Sequence, residues 1–392
     1  MKRFELIATS TFGLEAMVKK EVEDLGYEIN AVQDGKVIYT GDAEAIVLSN
    51  LWLRCADRVL IKMGEFKATT FVELFDQVAA LPWEAWMTPD AKFTVNGKSV
   101  KSKLFSISDC QAITKKAIVK RLSERYKMDW FPETGPEYTV QVSLLKDVAT
   151  LTIDTTGREG LHKRGYRVKQ SEAPLKETMA AALLAISYWQ KGRILYDPCC
   201  GSGTFAIEAA LMAKNIAPGL YRPFASSFWP QIPKSLWDEL RKEAKEAIDQ
   251  KGNPIIYASD IDRNMIQKAR ENAEAAGVGD CIQFFAKPIH KASLPYGDYG
   301  VVIVNPPYGE RISDPVKVSQ IHKELRRLSD SNPTWSLYAI TSSDTFERDY
   351  GKKANKKRKL FNGNLKVDFY QYFGPKPPKD GENFKAIDSK VF

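Results

Sequence analysis

The sequence predicts an α/β protein in which two small α+β units precede a doubly wound, parallel sheet. Three observations support this fold class. The chain has 392 residues, too many for one small domain. Hydrophobic residues make up 44% and charged residues 27%, close to ordinary globular usage. From about residue 173, apolar strands alternate with helical patterns, which is typical of parallel strands joined by helices.

The first α+β unit is predicted over residues 1–64. Apolar residues at every second position indicate strands, and apolar residues three or four positions apart indicate helices. In chain order the predicted elements are a strand at 3–9, a helix at 13–25, a strand at 36–40, a helix at 42–52 and a strand at 57–63. Strands and helices mixed in this way favour an α+β unit.

The second unit, over residues 65–155, is notable for its positive charge. Its predicted elements are a helix at 70–80, a strand at 92–100, a helix at 108–125 and strands at 137–145 and 147–154. Residues 92–127 hold ten Lys or Arg against two acidic residues. A clustered excess of this kind fits a nucleic-acid partner. The candidate RNA contacts are Lys98, Lys101, Lys103, Lys115 and Lys116.

Residues 156–172 are predicted to form a basic linker. Glycines interrupt this segment, and it shows no apolar periodicity. A basic segment can be a solvated face or a phosphate contact. The candidate RNA contacts in this segment are His162, Lys163, Arg164 and Arg167.

The third domain is predicted over residues 173–392. Its expected strands lie at 193–197, 254–260, 281–286, 300–304 and 335–341, its helices at 174–189, 203–213, 236–250, 262–276 and 315–329, and a Pro- and aromatic-rich insertion at 215–237. Ligands of such sheets bind beyond the carboxyl ends of the strands. Asp197, Asp260 and Asn305 end three of the strands and are therefore candidate site residues.

The stretch DPCCGSGT at 197–204 predicts a ligand-binding turn, because Gly201 and Gly203 let the main chain approach a ligand closely. With Ala206 it also satisfies the dinucleotide pattern GxGxxA. That alternative expects an acidic residue about 20 positions further on, and none occurs between Glu208 and Asp238. S-adenosylmethionine (SAM) fits better, since its sites use one carboxylate near the glycines and a second one for the ribose hydroxyls.

The expected cofactor is therefore SAM, which becomes S-adenosylhomocysteine (SAH) after transfer. The candidate cofactor-binding residues are Asp197, Cys199, Gly201, Gly203, Thr204, Asp260 and Ile261. No metal is expected, because the five cysteines form no CxxC pair and the chain has three histidines.

The stretch NPPY at 305–308 predicts a site that orients a base amine. Such an amine is a poor nucleophile, because its lone pair is delocalised into the ring. The Asn305 side-chain carbonyl and the Pro306 main-chain carbonyl can each accept one N–H bond, which turns the lone pair toward the methyl donor. Pro307 stiffens the backbone, and Tyr308 can stack on the base. The alternative is a rigid turn after a buried strand.

A second basic run, KKANKKRK, occupies residues 352–359. It follows the predicted catalytic sheet, where a phosphate backbone would pass if the base enters at NPPY. A solvated charged face is the alternative. The candidate RNA contacts are Lys356, Lys357 and Arg358.

Taken together, these motifs resemble the THUMP-domain methyltransferases, in particular the large-subunit rRNA guanine-N2 methyltransferase family. The marks of the resemblance are LTIDTTGREGLHKRGYR at 151–167, APLKETMAAALL at 173–184, DPCCGSGTFAIEAALMA at 197–213, SDIDRNMIQKARENAEAAG at 259–277, NPPYGERI at 305–312 and KKRKLFNG at 356–363. The resemblance implies an N-terminal ferredoxin-like domain, a THUMP RNA-binding domain and a C-terminal Rossmann-like SAM methyltransferase domain. It also implies N2-methylguanine in 23S ribosomal RNA as the product.

Two other functions stay open at this stage. NPPY also occurs in adenine-N6 DNA methyltransferases, and a catalytically idle rRNA-binding assembly factor could keep the fold. One departure from the usual SAM pattern is Pro288, which follows IQFFAK where many SAM enzymes place an Asp near the adenine.

The remaining expectations concern location and reaction number. The odd number of scattered cysteines fits a reducing cytoplasm, and no stretch approaches the roughly 20 apolar residues that span a bilayer. The chain lacks the second methyltransferase domain that some bacterial relatives carry, so a single modification is expected.

Overall fold

The computed structural model describes residues 3–167, 175–251, 254–307, 314–363 and 365–378. The chain forms two compact units, each made of several chain segments. The first unit contains Met1–Ser10, Val18–Leu161 and Gly219–Glu243, and the second contains Thr11–Met17, His162–Pro218 and Ala244–Phe392.

A seven-stranded sheet forms the core of the first unit, within the described ranges. Its strands are β1 (Phe4–Thr9), β2 (Ile29–Gln33), β3 (Lys36–Gly41), β4 (Arg58–Lys67), β5 (Lys92–Val100), β6 (Glu137–Leu145) and β7 (Val148–Asp154). They lie in the order β2-β3-β1-β4-β7-β6-β5. The helices of this part of the chain are α1 (Glu15–Asp24), α2 (Ala43–Trp52), α3 (Phe71–Ala79) and α4 (Ile107–Tyr126).

Strand β4 joins the two predicted α+β units into one sheet. It pairs antiparallel with β1 through Arg58–Ile61 and with β7 along Leu60–Lys67. The sequence predicted this strand only to residue 63, because the apolar alternation stops there, whereas the observed strand continues to Lys67. The two N-terminal domains therefore share a continuous hydrogen-bonded sheet.

The segment Gly219–Glu243 also folds with the first unit, although the sequence assigned it to the third domain. Trp229, 1% exposed, stacks on Tyr138 with ring centroids 4.6 Å apart, and its Nε1 donates to Glu137 O at 3.0 Å. The Ser226 hydroxyl donates to Thr155 O at 2.9 Å. Trp229 of the insertion thus fills part of the N-terminal core.

The second unit contains a seven-stranded sheet in the part of the chain that the structure describes. Its strands are β8 (Leu195–Asp197), β9 (Ile256–Asp260), β10 (Ile282–Ala286), β11 (Val301–Val304), β12 (Ser336–Thr341), β13 (Lys356–Asn362) and β14 (Leu365–Tyr372). The later helices of the chain are α5 (Glu177–Ile186), α6 (Thr204–Ala213), α7 (Lys234–Glu246), α8 (Arg263–Ala275), α9 (Pro315–Ser331) and α10 (Phe346–Tyr350).

The strand order of this sheet is β10-β9-β8-β11-β12-β14-β13. The first five of these strands are parallel, and β14 runs antiparallel to β12. The predicted parallel sheet is therefore confirmed. Chain order reverses between β8 and β11, which is the switch point where ligands of such sheets bind.

The hairpin of β13 and β14 was not predicted from the sequence. Residues 356–359 are all basic, so β13 has no apolar alternation in its sequence, and the stretch was interpreted as a charge run. In the structure these residues form the edge strand of the sheet. Within the described ranges, no helix has the length and apolar character needed to cross a membrane.

Candidate active site

Three polar residues meet at the carboxyl edge of the central strands of the second unit. Asp197 is the last residue of β8, Asp260 is the last residue of β9, and Asn305 directly follows β11. Strand β8 pairs in parallel with β9 on one side and β11 on the other. The three side chains therefore occupy neighbouring strand ends, as the sequence predicted for a site at the switch point.

The two glycines of the turn after β8 play different structural roles. Both adopt the left-handed conformation, with φ of +52° at Gly201 and +85° at Gly203. A Cβ at Gly203 would lie 3.1 Å from Ala269 Cβ, so this glycine permits close packing of the turn against α8. A Cβ at Gly201 would meet no atom within 4 Å. The main chain at Gly201 thus borders open space that a ligand can enter.

Asp260 holds the turn in place and keeps accepting capacity. Its Oδ2 accepts the Gly201 N–H at 2.9 Å, and its Oδ1 accepts the Asp262 N–H at 3.0 Å. Each carboxylate oxygen can accept two hydrogen bonds, so one site on each oxygen is available to a diol. Ile261, next in the chain, is 73% exposed.

Asp197 is a carboxylate with little compensation for its burial. It is 2% exposed, and its Oδ1 accepts the Cys199 N–H at 3.2 Å. Burial raises the pKa of Asp197 well above its usual value, and the nearby Asp260 charge raises it further. A cationic ligand group at this position would stabilise the ionised form.

The two cysteines of the turn have unreactive surroundings. Burial raises the pKa of both the Cys199 and the Cys200 thiols, and the charge of Asp197 adds to the effect. A thiolate is the nucleophilic form of cysteine. Neither side chain is therefore a ready nucleophile.

Asn305 carries an unpaired polar atom. Its Oδ1 is buried, and no described residue donates a hydrogen bond to it. A buried acceptor without a partner costs about 1–3 kcal/mol, so such atoms are uncommon in folded proteins. Pro306 is buried and Pro307 is half-buried beside it. Tyr308 lies outside the described residues.

The five lysines of the first unit that the sequence predicts as RNA contacts are exposed. Lys98, Lys101 and Lys103 lie on and after the end of β5, and Lys115 and Lys116 lie on α4. Phe105 is 81% exposed and Val100 is 51% exposed in the same stretch as the first three lysines. We call Lys98–Phe105 the β5 tip. It combines positive charge with an exposed aromatic ring, as surfaces that bind unpaired nucleotides do.

The predicted basic linker lacks helix and strand through residue 167, yet it is packed rather than solvated. His162 and Lys163 are half-buried. Arg164 is 7% exposed and pairs with Glu208 of α6 at 3.4 Å. An RNA contact at Arg164 conflicts with this burial, and we correct that prediction.

Arg167 also points inward, since its side chain is 10% exposed. It donates to Ser202 Oγ at 3.2 Å and to Thr204 Oγ1 at 2.9 Å, both in the glycine turn. The sequence did not reveal this contact, because the partners are 35 and 37 positions apart and no local motif links them. A basic residue in a basic segment was instead interpreted as an RNA contact.

Residues 356–359 of the second basic run lie on the edge strand β13. Lys356 is exposed, Lys357 pairs with Asp368 at 3.5 Å, and Arg358 is half-buried. Lys357 Nζ also lies 5.1 Å from the centroid of the Tyr370 ring. Lysines on an edge strand discourage pairing with other sheets, so the run has a structural explanation besides RNA contact.

Family profiles match most of the chain. A profile described as an RMKL-like methyltransferase domain matches residues 164–371, one described as the RlmL ferredoxin-like domain matches residues 5–60, and a THUMP domain profile matches residues 68–154. The chain belongs to the RMKL-like methyltransferase family. The resemblance inferred from the sequence and the predicted three-part fold are both confirmed.

A relative of this RMKL-like methyltransferase matches nearly all of its length. The Bacillus subtilis (strain 168) protein named "Putative RNA methyltransferase YpsC" is 51% identical over 381 residues, which cover 97% of this chain and 98% of the relative.

Two solved structures have the same fold at high identity. A structure described as a "predicted N6-adenine-specific DNA methylase" from Listeria monocytogenes is 52% identical, with a TM-score of 0.90, and covers 96% of this chain and 97% of its own. A structure of SMU.472, described as a "putative methyltransferase complexed with SAH", is 44% identical, with a TM-score of 0.90, and covers 96% of this chain and 100% of its own.

Among the described residues of this chain, no group of three His, Cys, Asp or Glu could hold a metal ion.

Proposed function

We propose that this RMKL-like methyltransferase transfers a methyl group from SAM to the exocyclic N2 of a guanine in 23S ribosomal RNA. The observation that carries the proposal is the buried Oδ1 of Asn305 at the end of β11, which has no hydrogen-bond partner among the described residues. A buried oxygen without a hydrogen-bond donor lowers the stability of the folded protein, and an N–H group of the substrate would supply the donor. Its strand is paired with β8, which leads into the glycine turn.

The residues around the turn fit SAM by their chemistry. The buried Asp197 suits the ammonium group, Asp260 has accepting capacity for the two ribose hydroxyls, and the open space at Gly201 admits the ligand against the main chain. We propose that Ile261, which is exposed, contacts the adenine ring. When bound, SAM supplies a methyl group that an amine nitrogen can attack. The SAH complex of SMU.472 supports this cofactor for the family.

The NPPY residues orient the amine. Asn305 Oδ1 accepts one N–H of the base, and the Pro306 carbonyl accepts the other, so the nitrogen lone pair is directed away from the ring plane. An amide oxygen is a weak base, so Asn305 orients the amine and leaves its proton to the solvent. Pro307 keeps the backbone stiff. Tyr308 is proposed to stack on the base. Positioning supplies most of the rate acceleration.

Most of the proposed RNA contacts are exposed lysines. The β5 tip and the α4 lysines belong to the segment that matches the THUMP domain, and the Bacillus relative is named as an RNA methyltransferase. In the second unit, the proposed contacts are Lys163, which is half-buried, and the exposed Lys356 and Lys357. We leave Arg164 and Arg167 out because their side chains are turned inward.

A second candidate is adenine-N6 methylation of DNA. The Listeria structure is described in those terms, and an Asn-Pro-Pro-Tyr site would orient an adenine amine equally well. Two features favour RNA over DNA. The first unit exposes a basic surface, and the segment that carries it matches the THUMP domain profile.

In the deciding experiment, the purified protein is incubated with radiolabelled SAM and unmodified 23S ribosomal RNA. A separate reaction contains duplex DNA in place of the RNA. We expect label in the RNA, and mass spectrometry of the digested RNA should find N2-methylguanosine. Asn305→Ala serves as the inactive control, and Asn30→Ala, at an exposed asparagine of β2, serves as the matched active control. Label confined to the DNA, or recovered as N6-methyladenosine, would overturn the proposal.

A further inference from the structure

Arg167 is at the centre of a compact hydrogen-bond network in the second unit. Its Nε donates to Glu177 Oε1, and its Nη2 donates to Leu175 O at 2.9 Å and to Thr204 Oγ1 at 2.9 Å. Its Nη1 donates to Ser202 Oγ at 3.2 Å. A guanidinium has five N–H donors in a rigid fork. Four of the five are therefore engaged inside the protein.

The partners of Arg167 are buried. Glu177 is 3% exposed, Ser202 is 8% exposed and Thr204 is 7% exposed. A planar guanidinium can bind several acceptors at fixed angles, which the single charge of a lysine cannot do. The network thus has the geometry of a fixed support and leaves little of the side chain for a phosphate.

The glycine turn is supported from three directions, and Arg167 supplies one of them. Asp260 accepts the Gly201 N–H, and Asn272 of α8 donates through Nδ2 to Ser202 O at 3.1 Å. Those two contacts hold the main chain. Arg167 instead holds the hydroxyl groups on both sides of Gly203, including that of Thr204, the first residue of α6.

We infer that Arg167 is a positioning residue for SAM, which fixes the turn between β8 and α6 through Ser202 and Thr204 and does not contact RNA. The turn has two residues in the left-handed conformation, so its shape depends on external support. Without Arg167, the hydroxyls of Ser202 and Thr204 lose their donor, and the first turn of α6 is free to rearrange.

The main test replaces Arg167 with glutamine in the full-length protein. SAH affinity is measured by calorimetry without RNA, and RNA affinity by fluorescence anisotropy without SAH. We expect SAH binding to weaken about tenfold or more, because several charge-assisted hydrogen bonds are lost. RNA affinity should change by less than about twofold. The KM for SAM should rise more than kcat falls.

Arg167→Lys separates positioning from stability. The lysine keeps a positive charge beside Glu177, so the melting temperature of the apo protein should return close to that of wild type. It lacks the fork that binds Ser202 and Thr204 together, so SAH affinity should stay reduced. Recovery of both quantities together would show a purely structural ion pair and would overturn the inference.

Ser202→Ala provides a variant that leaves the Arg167–Glu177 pair intact, in case Arg167→Gln does not fold. We expect a smaller loss of SAH affinity than for Arg167→Gln, and no further loss when Ser202→Ala is added to Arg167→Lys, since the shared contact is already gone. Full additivity of the two substitutions would contradict the inference.

Arg58→Gln is the matched control. Arg58 also pairs with a buried carboxylate, Asp154, at 2.5 Å, but it belongs to the first unit. It should lower the melting temperature and leave SAH affinity unchanged. If Arg167→Gln instead lowers RNA affinity while SAH affinity is unchanged, Arg167 is a phosphate contact. The SAH-affinity measurements do not involve the methylated base, so a wrong assignment of that base would leave their result intact.

Discussion

At the scale of single residues, the site combines two groups that burial disfavours. Within the described ranges, Asn305 Oδ1 has no hydrogen-bond donor, and Asp197 is a buried carboxylate that accepts from the Cys199 N–H. Both cost the apo protein stability, and both have partners in the proposed ligands. Proteins commonly accept such costs where activity requires them.

Asn305→Ala should abolish catalysis and preserve the fold. We expect kcat to fall by about 100-fold or more, by analogy with the loss of one positioned hydrogen bond in other enzymes. SAH affinity should stay close to that of wild type, because the proposed partner of Asn305 is the base and not the cofactor. The melting temperature should not fall, because a buried unpaired oxygen has been removed. Single-turnover kinetics, calorimetry and thermal denaturation check these outcomes, and wild-type turnover would refute the role of Asn305.

Asp197→Asn should weaken SAH binding and stabilise the apo protein in a pH-dependent way. Burial raises the pKa of Asp197 in the folded state above the usual carboxyl value of 3.8. Between these two pKa values the folded state binds more protons than the unfolded state, so stability falls as pH rises. A neutral asparagine removes this loss.

The stabilisation of Asp197→Asn relative to wild type should therefore be larger at about pH 7.5 than at about pH 4, below which the unfolded carboxyl is also protonated. Urea denaturation at both pH values measures it. An equal difference at both pH values would show that the buried charge is not its source.

At the scale of elements, the residues at the strand ends were predictable from the sequence. The side-chain contacts that hold the turn after β8 and the helix α6 in place were not. Asp197, Asp260 and Asn305 followed from apolar runs that stop at a polar residue, a pattern visible in the sequence alone. The inward orientation of Arg167 and the pairing of Arg164 with Glu208 depend on residues far apart in the chain, so a basic segment looked like an RNA contact. The hairpin of β13 and β14 was not predicted, because the basic residues 356–359 give β13 no alternation of apolar and polar residues.

The two glycines after β8 should respond differently to alanine. Gly203→Ala should lower the free energy of unfolding by more than the roughly 1–2 kcal/mol of left-handed strain, because its Cβ meets Ala269. Gly201→Ala should cost only about that strain, since its Cβ meets no atom within 4 Å. Both should weaken SAH binding.

Denaturation and calorimetry on the two variants test this contrast. Gly277→Ala is the control, because Gly277 has φ of +72° and open space but lies at the end of α8. It should show strain and unchanged SAH affinity. Equal stability of the two turn variants would mean that the packing of Gly203 against α8 is unimportant.

At the scale of the whole molecule, composition and alternation predicted the three-part fold, whereas the place of the insertion was not visible. A Pro- and aromatic-rich stretch inside the third domain gives no indication of which core its rings enter. The structure assigns Gly219–Glu243 to the first unit, with Trp229 among Trp86 and Tyr138.

Trp229→Ala should therefore destabilise the first unit. Loss of a fully buried tryptophan costs about 3–5 kcal/mol, and hydrogen exchange should rise in β5–β7 first. Trp130→Ala, at a tryptophan that is 73% exposed in the same unit, is the control and should change stability little. Similar stability of the two variants would contradict the structural role of the insertion.

The position of Gly219–Glu243 also bears on how such genes can be cut and recombined. A gene fragment for residues 162–392 includes the segment Gly219–Glu243, which folds with the first unit. A gene fragment for residues 1–161 lacks this segment. If the N-terminal RNA-binding part were exchanged between the end of the THUMP match at residue 154 and the start of the methyltransferase match at residue 164, the N-terminal core would be disrupted. Recombinants of this family should therefore survive only when the insertion and the N-terminal region come from the same parent.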